Sequence, residues 1–281
     1  MDFIQTAIKR AREERSRGGE STHEVLTRSR RQSVSTVPAE PVPDRAALWA
    51  QLPEFRPRSA TLERNLIVTQ NAGPQAAHFD MIRTQLLHQL RVNNWRRVAI
   101  TSPGSACGKT TLAVNLAFGL ARQPNVFTLL AEFDLRRPSM ARLLGMSESC
   151  QFAQVLAGQS KPEDQMSRIG HNLLLATNAN PVTNAAELLQ EVNTGLCLDA
   201  IEARYAPDVM IFDMPPMLLT DDTLAFIDQI DCVLLVAAAE RTGIEEIERC
   251  SADLAAHCNF LGVVLNKCRY LNRTEVYGYG Y

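Results

Sequence analysis

The feature that most constrains the fold of this chain is the segment TSPGSACGKTT at residues 101–111. It follows a short apolar run, 97–101, and precedes a stretch with helical spacing. In a strand–loop–helix unit of this kind, a glycine such as Gly108 lets the backbone approach a phosphate closely. Lys109 then supplies positive charge, and Thr110 offers a hydroxyl group to a metal ion. The segment therefore predicts a phosphate-binding loop inside an α/β fold.

The loop departs from the strict pattern G-x-x-x-x-G-K-[ST]. Pro103 stands where the first glycine belongs, and Gly104 comes one place late. Ala106 occupies a position at which glycine would be more comfortable if the backbone adopts a positive φ. The residues that we expect to bind the nucleotide are Ser105, Ala106, Cys107, Gly108, Lys109, Thr110 and Thr111.

From about residue 62, short apolar strands alternate with helical stretches. A helix is predicted around 76–92. The predicted strands are 97–101, 126–134, 173–177, 209–213, 232–237 and 261–265. This order is typical of α/β proteins, and it predicts a P-loop NTPase-type, doubly wound, mostly parallel sheet with helices on both faces.

Two of the predicted strands end in carboxylates. The segment LLAEFDLRRP places Glu132 and Asp134 on one side of its strand end, and Asp213 ends the strand VMIFD before a Pro-Pro turn. Carboxylates at this edge can hold Mg²⁺ directly or through water, and one can accept the proton of an attacking hydroxyl group. The alternative for the first pair is a strand-end cap, with Arg136 and Arg137 as ion-pair partners.

The last predicted strand is followed by Asn266 and Lys267, which open the guanine-reading sequence Asn-Lys-x-Asp. Arg269 stands where that sequence requires aspartate, so we expect ATP rather than GTP, with Asn266 among the residues that bind it. Asp221 and Asp222 follow the Pro-Pro turn, and we expect them to cap the next helix rather than to take part in chemistry.

Composition divides the chain into an amphipathic leader helix (1–18), a proline-rich flexible linker (19–60), an ATP-binding domain (61–268) and a tail (269–281). Four of the five tyrosines lie in the last twelve residues, at Tyr270, Tyr277, Tyr279 and Tyr281. A loose tail of tyrosines on a chain with a nucleotide site suggests an enzyme that phosphorylates its own tail. The alternative is a disordered end, or an aromatic strip that packs elsewhere.

Charge and cysteine content argue against several classes of protein. A net charge of −2 gives no indication of nucleic-acid binding, and the seven cysteines form no C-x-x-C pair that would indicate a zinc site. No apolar run approaches the roughly 20 residues that a membrane-spanning helix needs. The start of the chain also lacks the apolar core of a signal peptide. We therefore expect a soluble cytoplasmic protein.

Taken together, the loop TSPGSACGKTT, the segments LLAEFDLRRP and IFDMPP, and the tyrosine-rich tail resemble the cytoplasmic domain of the bacterial tyrosine autokinases of exopolysaccharide and capsule synthesis. The resemblance runs from about residue 65 to the end, and the leader helix resembles that of the exosortase-associated branch. It implies an ATP- and Mg²⁺-dependent kinase domain that phosphorylates its own tail and regulates polymerisation or export. It also implies a transmembrane chain-length (co-polymerase) partner at the inner membrane, and it is compatible with a homo-oligomer.

The resemblance assigns roles to individual residues. Lys109 would bind the β- and γ-phosphates, while Thr110, Asp134 and Asp213 would hold the metal and its waters. Glu132 stands where the family usually has the aspartate that activates the tyrosine hydroxyl group. The predicted catalytic set is therefore Lys109, Glu132, Asp134 and Asp213, and the four tail tyrosines are the predicted phosphoacceptors.

Three departures from the family are visible in the sequence. The loop has 105–107 (SAC) where the family commonly reads P-G-E-G-K-S, and Glu132 replaces aspartate. The ring-assembly motif E-x-x-R-x-x-R reads Ala77, Asp80 and Arg83, so only its last arginine is present. Ring formation is therefore not predicted from this helix.

Two other functions remain open at this point. One is a nucleotide-binding pseudo-kinase that serves as a scaffold for the export complex. The other is a regulatory ATPase of the partitioning type, although such proteins carry a lysine five residues before the loop lysine, where this chain has Gly104.

Overall fold

The computed structural model describes residues 45–146 and 150–269. The predicted leader helix (1–18), the first part of the predicted linker and the tyrosines from Tyr270 onward lie outside the described residues. Among the residues that are described, no helix is both long and apolar enough to cross a membrane.

A seven-stranded sheet forms the centre of the described domain. Its strands are β1 (Arg97–Thr101), β2 (Thr128–Glu132), β3 (Met166–Ile169), β4 (Leu173–Ala176), β5 (Val209–Asp213), β6 (Cys232–Ala238) and β7 (Asn259–Asn266). They lie in the order β3-β4-β2-β5-β1-β6-β7, and in this sheet β3 alone runs antiparallel to its neighbour. The doubly wound, mostly parallel sheet predicted from the sequence is confirmed.

Helices connect these strands and cover the sheet. They are α1 (Arg45–Ala50), α2 (Ser59–Arg64), α3 (Ala77–Asn93), α4 (Lys109–Ala121), α5 (Met140–Leu144), α6 (Ala153–Leu156), α7 (Pro162–Gln165), α8 (Ala185–Gln190), α9 (Val192–Tyr205), α10 (Asp222–Ala225) and α11 (Ile244–His257). The helix predicted over 76–92 corresponds to α3.

All six predicted strands are present, and two of them match to the residue. The run 126–134 forms a strand only over Thr128–Glu132, because the residues after Glu132 leave the sheet and enter the loop that carries Asp134. Strand β3 was not predicted, because its four residues, MSRI, are too few and too mixed to give a periodic signal.

The central strands β2, β4, β5 and β6 are buried on both faces, as parallel strands between two layers of helices are. In β5, Met210 and Phe212 face a core that includes residues of α9 and α11. Val209 and Ile211 face a second core, built with α3 and α4. Burial on both sides explains why these strands read as continuous apolar runs instead of alternating ones.

The last part of the predicted linker is folded, which corrects the expected boundary at residue 60. We call residues 45–56 the N-terminal strap. Trp49 in the strap is fully buried, and its indole N–H donates to the carbonyl oxygen of Tyr205 at 2.8 Å. The ring of Phe127 packs edge-on against Trp49 with 4.9 Å between ring centroids. A single buried tryptophan among prolines gives no periodic pattern, so sequence reasoning missed it.

The strap also covers the edge of β3. The N–H of Phe55 donates to the carbonyl oxygen of Arg168 at 2.8 Å, and the N–H of Arg168 donates to the carbonyl oxygen of Pro53 at 2.8 Å. Such cover removes the free hydrogen-bonding groups of an edge strand, which would otherwise be open to pairing with another chain.

Replacing Trp49 with alanine tests whether the strap is part of the folded domain. We expect the free energy of unfolding to fall by about 3–5 kcal/mol, because a fully buried aromatic side chain is lost. Urea denaturation followed by circular dichroism measures the change. Gln51→Ala, an exposed position in the same strap, is the matched control and should change stability by no more than about 0.5 kcal/mol. Equal stability of the two variants would show that the strap does not support the domain.

Candidate nucleotide-binding site

The predicted phosphate loop lies at the carboxyl edge of the sheet, between the end of β1 and the start of α4. Strand β1 pairs with β5 on one side and with β6 on the other. After β1 and α4 the chain enters β2, which lies on the far side of β5. This is the topological switch point, where open α/β sheets bind their ligands. Gly108 precedes α4 with φ 92°, and Ala106 has φ 59°. The condition considered for position 106, a positive φ, therefore holds in a residue that carries a Cβ.

Two side chains at the end of β7 hold this loop in place. The amide nitrogen of Asn266 donates to the carbonyl oxygen of Cys107 at 2.9 Å, and Nζ of Lys267 donates to that of Ala106 at 2.7 Å. A Cβ on Gly108 would lie 2.2 Å from the Asn266 amide nitrogen, so this close approach requires glycine. Asn266, predicted to bind the nucleotide, thus uses its amide nitrogen on the loop itself. Lys267 was not predicted to contact the loop. The signal that could have indicated this contact is its position directly after Asn266 in the sequence.

Four of the predicted site residues converge behind the loop. Nζ of Lys109 donates to Oδ2 of Asp134 at 2.8 Å and lies 3.6 Å from Oδ1 of Asp213. The hydroxyl group of Thr110 donates to Oδ2 of Asp213 at 2.7 Å. Asp213 is fully buried, and Lys109 and Asp134 are almost so. We call these four residues the nucleotide cluster.

Lys109 keeps its positive charge in this cluster. Burial alone would lower the pKa of its ammonium group, but the carboxylates of Asp213 and Asp134 outweigh burial and raise that pKa. Helix α4 begins at Lys109 and adds the positive end of its dipole at the same place. A permanent cation and a helix N-terminus together favour the binding of phosphate groups.

The oxygen atoms of the cluster fit Mg²⁺. Oδ1 of Asp213 is buried and has no hydrogen-bond partner among the described protein atoms. An orphaned carboxylate oxygen beside a hydroxyl group and a second carboxylate is the hard oxygen environment that Mg²⁺ prefers. Thr110, Asp134 and Asp213 would hold the ion directly or through water, and a bound ion would supply positive charge next to the phosphates.

Glu132 is hydrogen-bonded to backbone amides and not to the side chains of this set. Its Oε1 accepts hydrogen bonds from the backbone N–H groups of Ser139 and Met140 at 2.5 and 2.7 Å, and its Oε2 accepts one from Asn178 at 3.0 Å. The side chain is fully buried. Glu132 lies opposite Asp213 where β2 pairs with β5, so its side chain lies beside the nucleotide cluster. Its projection to the same side as Asp134 stays a prediction. Both of its oxygens are occupied by backbone amides.

The arginines that follow Asp134 do not pair with the strand-end carboxylates through their side chains. Arg136 forms a two-bond ion pair with Asp222, with Nε–Oδ2 and Nη2–Oδ1 both at 2.9 Å. Arg137 contributes its backbone N–H to Oδ1 of Asp134 at 3.2 Å. Asp221 precedes α10 but makes no capping hydrogen bond through its side chain. The expectation that Asp221 and Asp222 cap this helix is therefore wrong.

The remaining predicted nucleotide-binding residues lie along the loop. Ser105 and Ala106 are exposed, Thr111 is partly exposed in the first turn of α4, and Cys107 is buried. The thiol group of Cys107 lies 3.6 Å from the hydroxyl group of Thr242, a loop contact that no sequence signal indicated. The four predicted phosphoacceptor tyrosines, from Tyr270 on, are outside the described residues.

The ring-assembly segment on α3 is engaged within the chain. Nη1 of Arg83 donates to Oδ1 of Asp80 at 3.1 Å and to the carbonyl oxygen of Gly119 at 3.2 Å. Arg122 of the neighbouring region also forms an ion pair with Asp80. These bonds hold α3 against α4, so the retained arginine of the motif serves intrachain packing.

Comparison with known proteins agrees with this geometry. Residues 94–276 match the ParA family, described as NUBPL iron-transfer P-loop NTPases. The tyrosine-protein kinase YwqD of Bacillus subtilis (strain 168) is 28% identical over 225 residues, which cover 79% of this chain and 93% of that protein. The structure of the VpsO kinase domain is 26% identical with a TM-score of 0.60, and the match covers 69% of this chain and 96% of that one.

A second structural neighbour is the chimeric protein CapA2B2. It is 23% identical with a TM-score of 0.65, and the match covers 77% of this chain and 93% of that one, which shows a shared fold. The resemblance inferred from the sequence motifs is confirmed, because relatives of this chain are named bacterial tyrosine-protein kinases.

Replacing Ala106 with glycine tests the strained loop backbone. A left-handed conformation costs a residue with a Cβ about 1–2 kcal/mol, whereas the greater freedom of glycine in the unfolded chain costs about 0.4–1 kcal/mol. We therefore expect Ala106→Gly to leave the free energy of unfolding unchanged or to raise it by up to about 1 kcal/mol. Ala99→Gly, fully buried in β1, is the matched control and should lower it by about 1–2 kcal/mol. Equal losses in urea denaturation would contradict the argument.

The stability of the domain should depend on pH through Glu132. Burial raises the pKa of its carboxyl group from 4.5 to about 7, although three backbone N–H groups act to lower it. Because the pKa is raised on folding, the folded state binds more protons between these two values. Glu132 therefore stabilises the folded state fully below pH 4.5, and this stabilisation is lost as the pH rises through about 7.

Between about pH 5 and pH 8, we expect the free energy of unfolding of the wild type to fall by a few kcal/mol more than that of Glu132→Gln. Burial also raises the pKa of Asp213, which contributes to the slope in both proteins, so the difference between the slopes is the readout. Denaturant titrations across this range measure it, and parallel slopes would remove Glu132 as the cause.

Proposed function

Because this chain belongs to the ParA family of P-loop NTPases, we propose that it is an ATP- and Mg²⁺-dependent protein-tyrosine autokinase. It phosphorylates its own C-terminal tyrosine cluster and thereby regulates exopolysaccharide polymerisation or export. The observation that carries the proposal is the nucleotide cluster at the switch point of the sheet. The kinase names of its relatives and the tyrosine-rich tail of the sequence support the choice of acceptor.

The nucleotide cluster supplies the parts that phosphoryl transfer needs. Such reactions pass through a loose transition state, so catalysis is mainly positioning and stabilisation of charge on the phosphate oxygens. Lys109 and the N-terminus of α4 would neutralise the outer phosphates, and Thr110, Asp134 and Asp213 would hold the metal. Transfer forms a bond from the tyrosine oxygen to the γ-phosphorus and breaks the bond to the bridging oxygen, which leaves with the electron pair on ADP.

The proton of the tyrosine hydroxyl group must pass to a base. The resemblance to the kinases gives this role to Glu132, and both of its oxygens accept backbone hydrogen bonds. Both oxygens of Asp134 also accept hydrogen bonds, from Lys109 and from the backbone of Arg137, so the choice rests on access. Asp134 is 7% exposed, whereas Asp213 and Glu132 are fully buried, and we therefore assign proton acceptance to Asp134.

The proposal includes a membrane partner and a signal carried by the tail. We place the kinase at the cytoplasmic side of the inner membrane, held there by a transmembrane chain-length (co-polymerase) protein that also activates it. Each phosphate adds about −1.5 to −2 charge to the tail. Phosphates on Tyr270, Tyr277, Tyr279 and Tyr281 would repel one another and any acidic surface, which gives a means of loosening a homo-oligomer or a partner complex.

The iron transfer named in the family description is not part of this proposal. Within the described ranges, no group of three or more His, Cys, Asp or Glu side chains is placed to hold a metal ion. A partitioning-type ATPase fits less well, because Gly104 stands where such proteins carry their additional lysine.

Lys109→Ala tests the proposal directly. Incubation of the wild type with Mg²⁺-ATP, with and without the cytoplasmic segment of its partner, should add phosphate to the tail tyrosines, as measured by intact and peptide mass spectrometry. In Lys109→Ala the phosphate should be lost, because the cation that neutralises the outer phosphates is gone. Lys161→Ala, at an exposed lysine, is the matched control and should keep the phosphate.

The other outcomes separate the alternatives. An unmodified wild-type tail with bound ATP and no turnover would favour the pseudo-kinase scaffold. ATP hydrolysis without phosphotyrosine would favour a regulatory ATPase. Phosphotyrosine that persists in purified Lys109→Ala would exclude this site as the source.

A further inference from the structure

An ion pair outside the nucleotide cluster joins two loops at the carboxyl edge of the sheet. The guanidinium group of Arg136 contacts both carboxylate oxygens of Asp222, and these bonds bridge 86 residues of sequence. The side chain of Asp222 is fully buried, whereas that of Arg136 is 36% exposed. A buried carboxylate is strongly disfavoured without a partner, so the position of Asp222 depends on Arg136.

Asp222 lies near the end of the segment 214–223, which follows Asp213 and runs along the nucleotide site. The carbonyl oxygen of Pro215 in this segment accepts hydrogen bonds from the hydroxyl groups of Thr101 at 2.7 Å and Thr223 at 3.1 Å. Thr101 is the last residue of β1, and Thr223 is the neighbour of Asp222. A short chain of bonds therefore connects Asp222 to the base of the phosphate loop.

The same segment is also tied to the loop through its backbone. The N–H of Met217 donates to the carbonyl oxygen of Ser102 at 2.8 Å, and the N–H of Leu218 donates to that of Pro103 at 3.1 Å. The segment 214–223 is thus bonded to the phosphate loop, and it begins directly after Asp213.

Arg136 lies in the other loop, two residues after Asp134. The turn between them is tight, because the N–H of Arg137 donates both to the carbonyl oxygen and to Oδ1 of Asp134, each at 3.2 Å. A displacement of Arg136 is therefore passed to Asp134 over a very short length of chain.

We propose that Arg136 and Asp222 are positioning residues that couple the loop carrying Asp134 to the segment carrying Asp213. The pair sets the spacing of these two carboxylates around the Mg²⁺–nucleotide complex. It acts through the aspartates and not by touching the reacting atoms. The inference rests on the proposed function in that it requires Mg²⁺ and a nucleotide at the site, but it does not depend on which group accepts the phosphate.

Arg136→Lys is the main test of this coupling. Lysine keeps a positive charge beside Asp222 but lacks the planar fork that makes two parallel bonds, so the pair loosens without leaving a buried charge alone. Changes in residues that orient metal ligands typically cost about 10–100-fold in metal affinity or activity. We expect the Mg²⁺ concentration for half-maximal binding of a fluorescent ATP analogue to rise about 10-fold, and tail phosphorylation to slow by about 10²-fold.

Two measurements separate positioning from a general loss of structure. Affinity for the analogue without Mg²⁺ should stay within about 2-fold of the wild type, because Lys109 and the phosphate loop are untouched. The thermal unfolding midpoint of Arg136→Lys should also stay close to that of the wild type. A double variant, Arg136→Gln with Asp222→Asn, removes both charges together and should show the same Mg²⁺ shift without an unpaired buried carboxylate.

The chain offers matched controls for both partners. Arg137 is the exposed neighbour of Arg136. The side chain of Asp221 is 78% exposed, and its Oδ1 lies 3.9 Å from Nη2 of Arg136, beyond hydrogen-bonding distance, so Asp221→Asn leaves the two-bond pair with Asp222 in place. Arg137→Ala and Asp221→Asn should keep the wild-type Mg²⁺ requirement.

Each result either supports or contradicts the coupling through Arg136 and Asp222. A Mg²⁺ requirement of Arg136→Lys equal to that of Arg137→Ala would overturn the inference, as would equal losses of affinity with and without Mg²⁺. A wild type whose nucleotide binding does not respond to Mg²⁺ would also overturn it. A wild type that binds the analogue in a Mg²⁺-dependent way but never modifies its tail would refute the kinase proposal alone, and the shift in Arg136→Lys would still support the coupling.

Discussion

Lys109 carries its positive charge into a site where its side chain is only 11% exposed, and an unpaired buried ammonium group would be strongly disfavoured. Its two partners come from different strands: Asp134 follows β2, and Asp213 ends β5. These strands and β1, which leads into the phosphate loop, are consecutive neighbours in the sheet. The need to compensate one cation therefore ties together the three strand ends on which the site depends, and it does so before any nucleotide is bound.

The parts of this arrangement that could be predicted are those with a local cause. Strands buried on both faces appear as continuous apolar runs, and for that reason β1 and β5 were predicted to the residue. The phosphate loop could be predicted because three adjacent residues carry its functions. Gly108 allows the backbone to approach a phosphate, Lys109 supplies the cation, and Thr110 supplies the hydroxyl group. Even the positive φ of Ala106 follows from local comparison with a pattern that favours glycine at that point.

The parts that sequence reasoning missed all depend on partners far away in the chain. Trp49 bonds to a residue 156 positions later, and Glu132 to one 46 positions later. Asp222 is the first residue of the short helix α10, where aspartate commonly serves as a cap, but its partner Arg136 lies in another loop. No periodicity and no short motif reports such pairs, because they are fixed by the packing of the sheet and not by the residues on either side.

The difference between aspartate and glutamate at position 132 then acquires a physical meaning. Strand β2 pairs with β5 so that Glu132 lies opposite Asp213, which places its side chain beside the nucleotide cluster. Its carboxyl group accepts hydrogen bonds from the backbone N–H groups of Ser139 and Met140 at the start of α5. The side chain of aspartate is one carbon–carbon bond shorter, so an aspartate at this point of β2 would need α5 to lie closer to form the same bonds. Glu132 therefore joins α5 to the edge of the site, and phosphoryl transfer depends on such positioning because its transition state is loose.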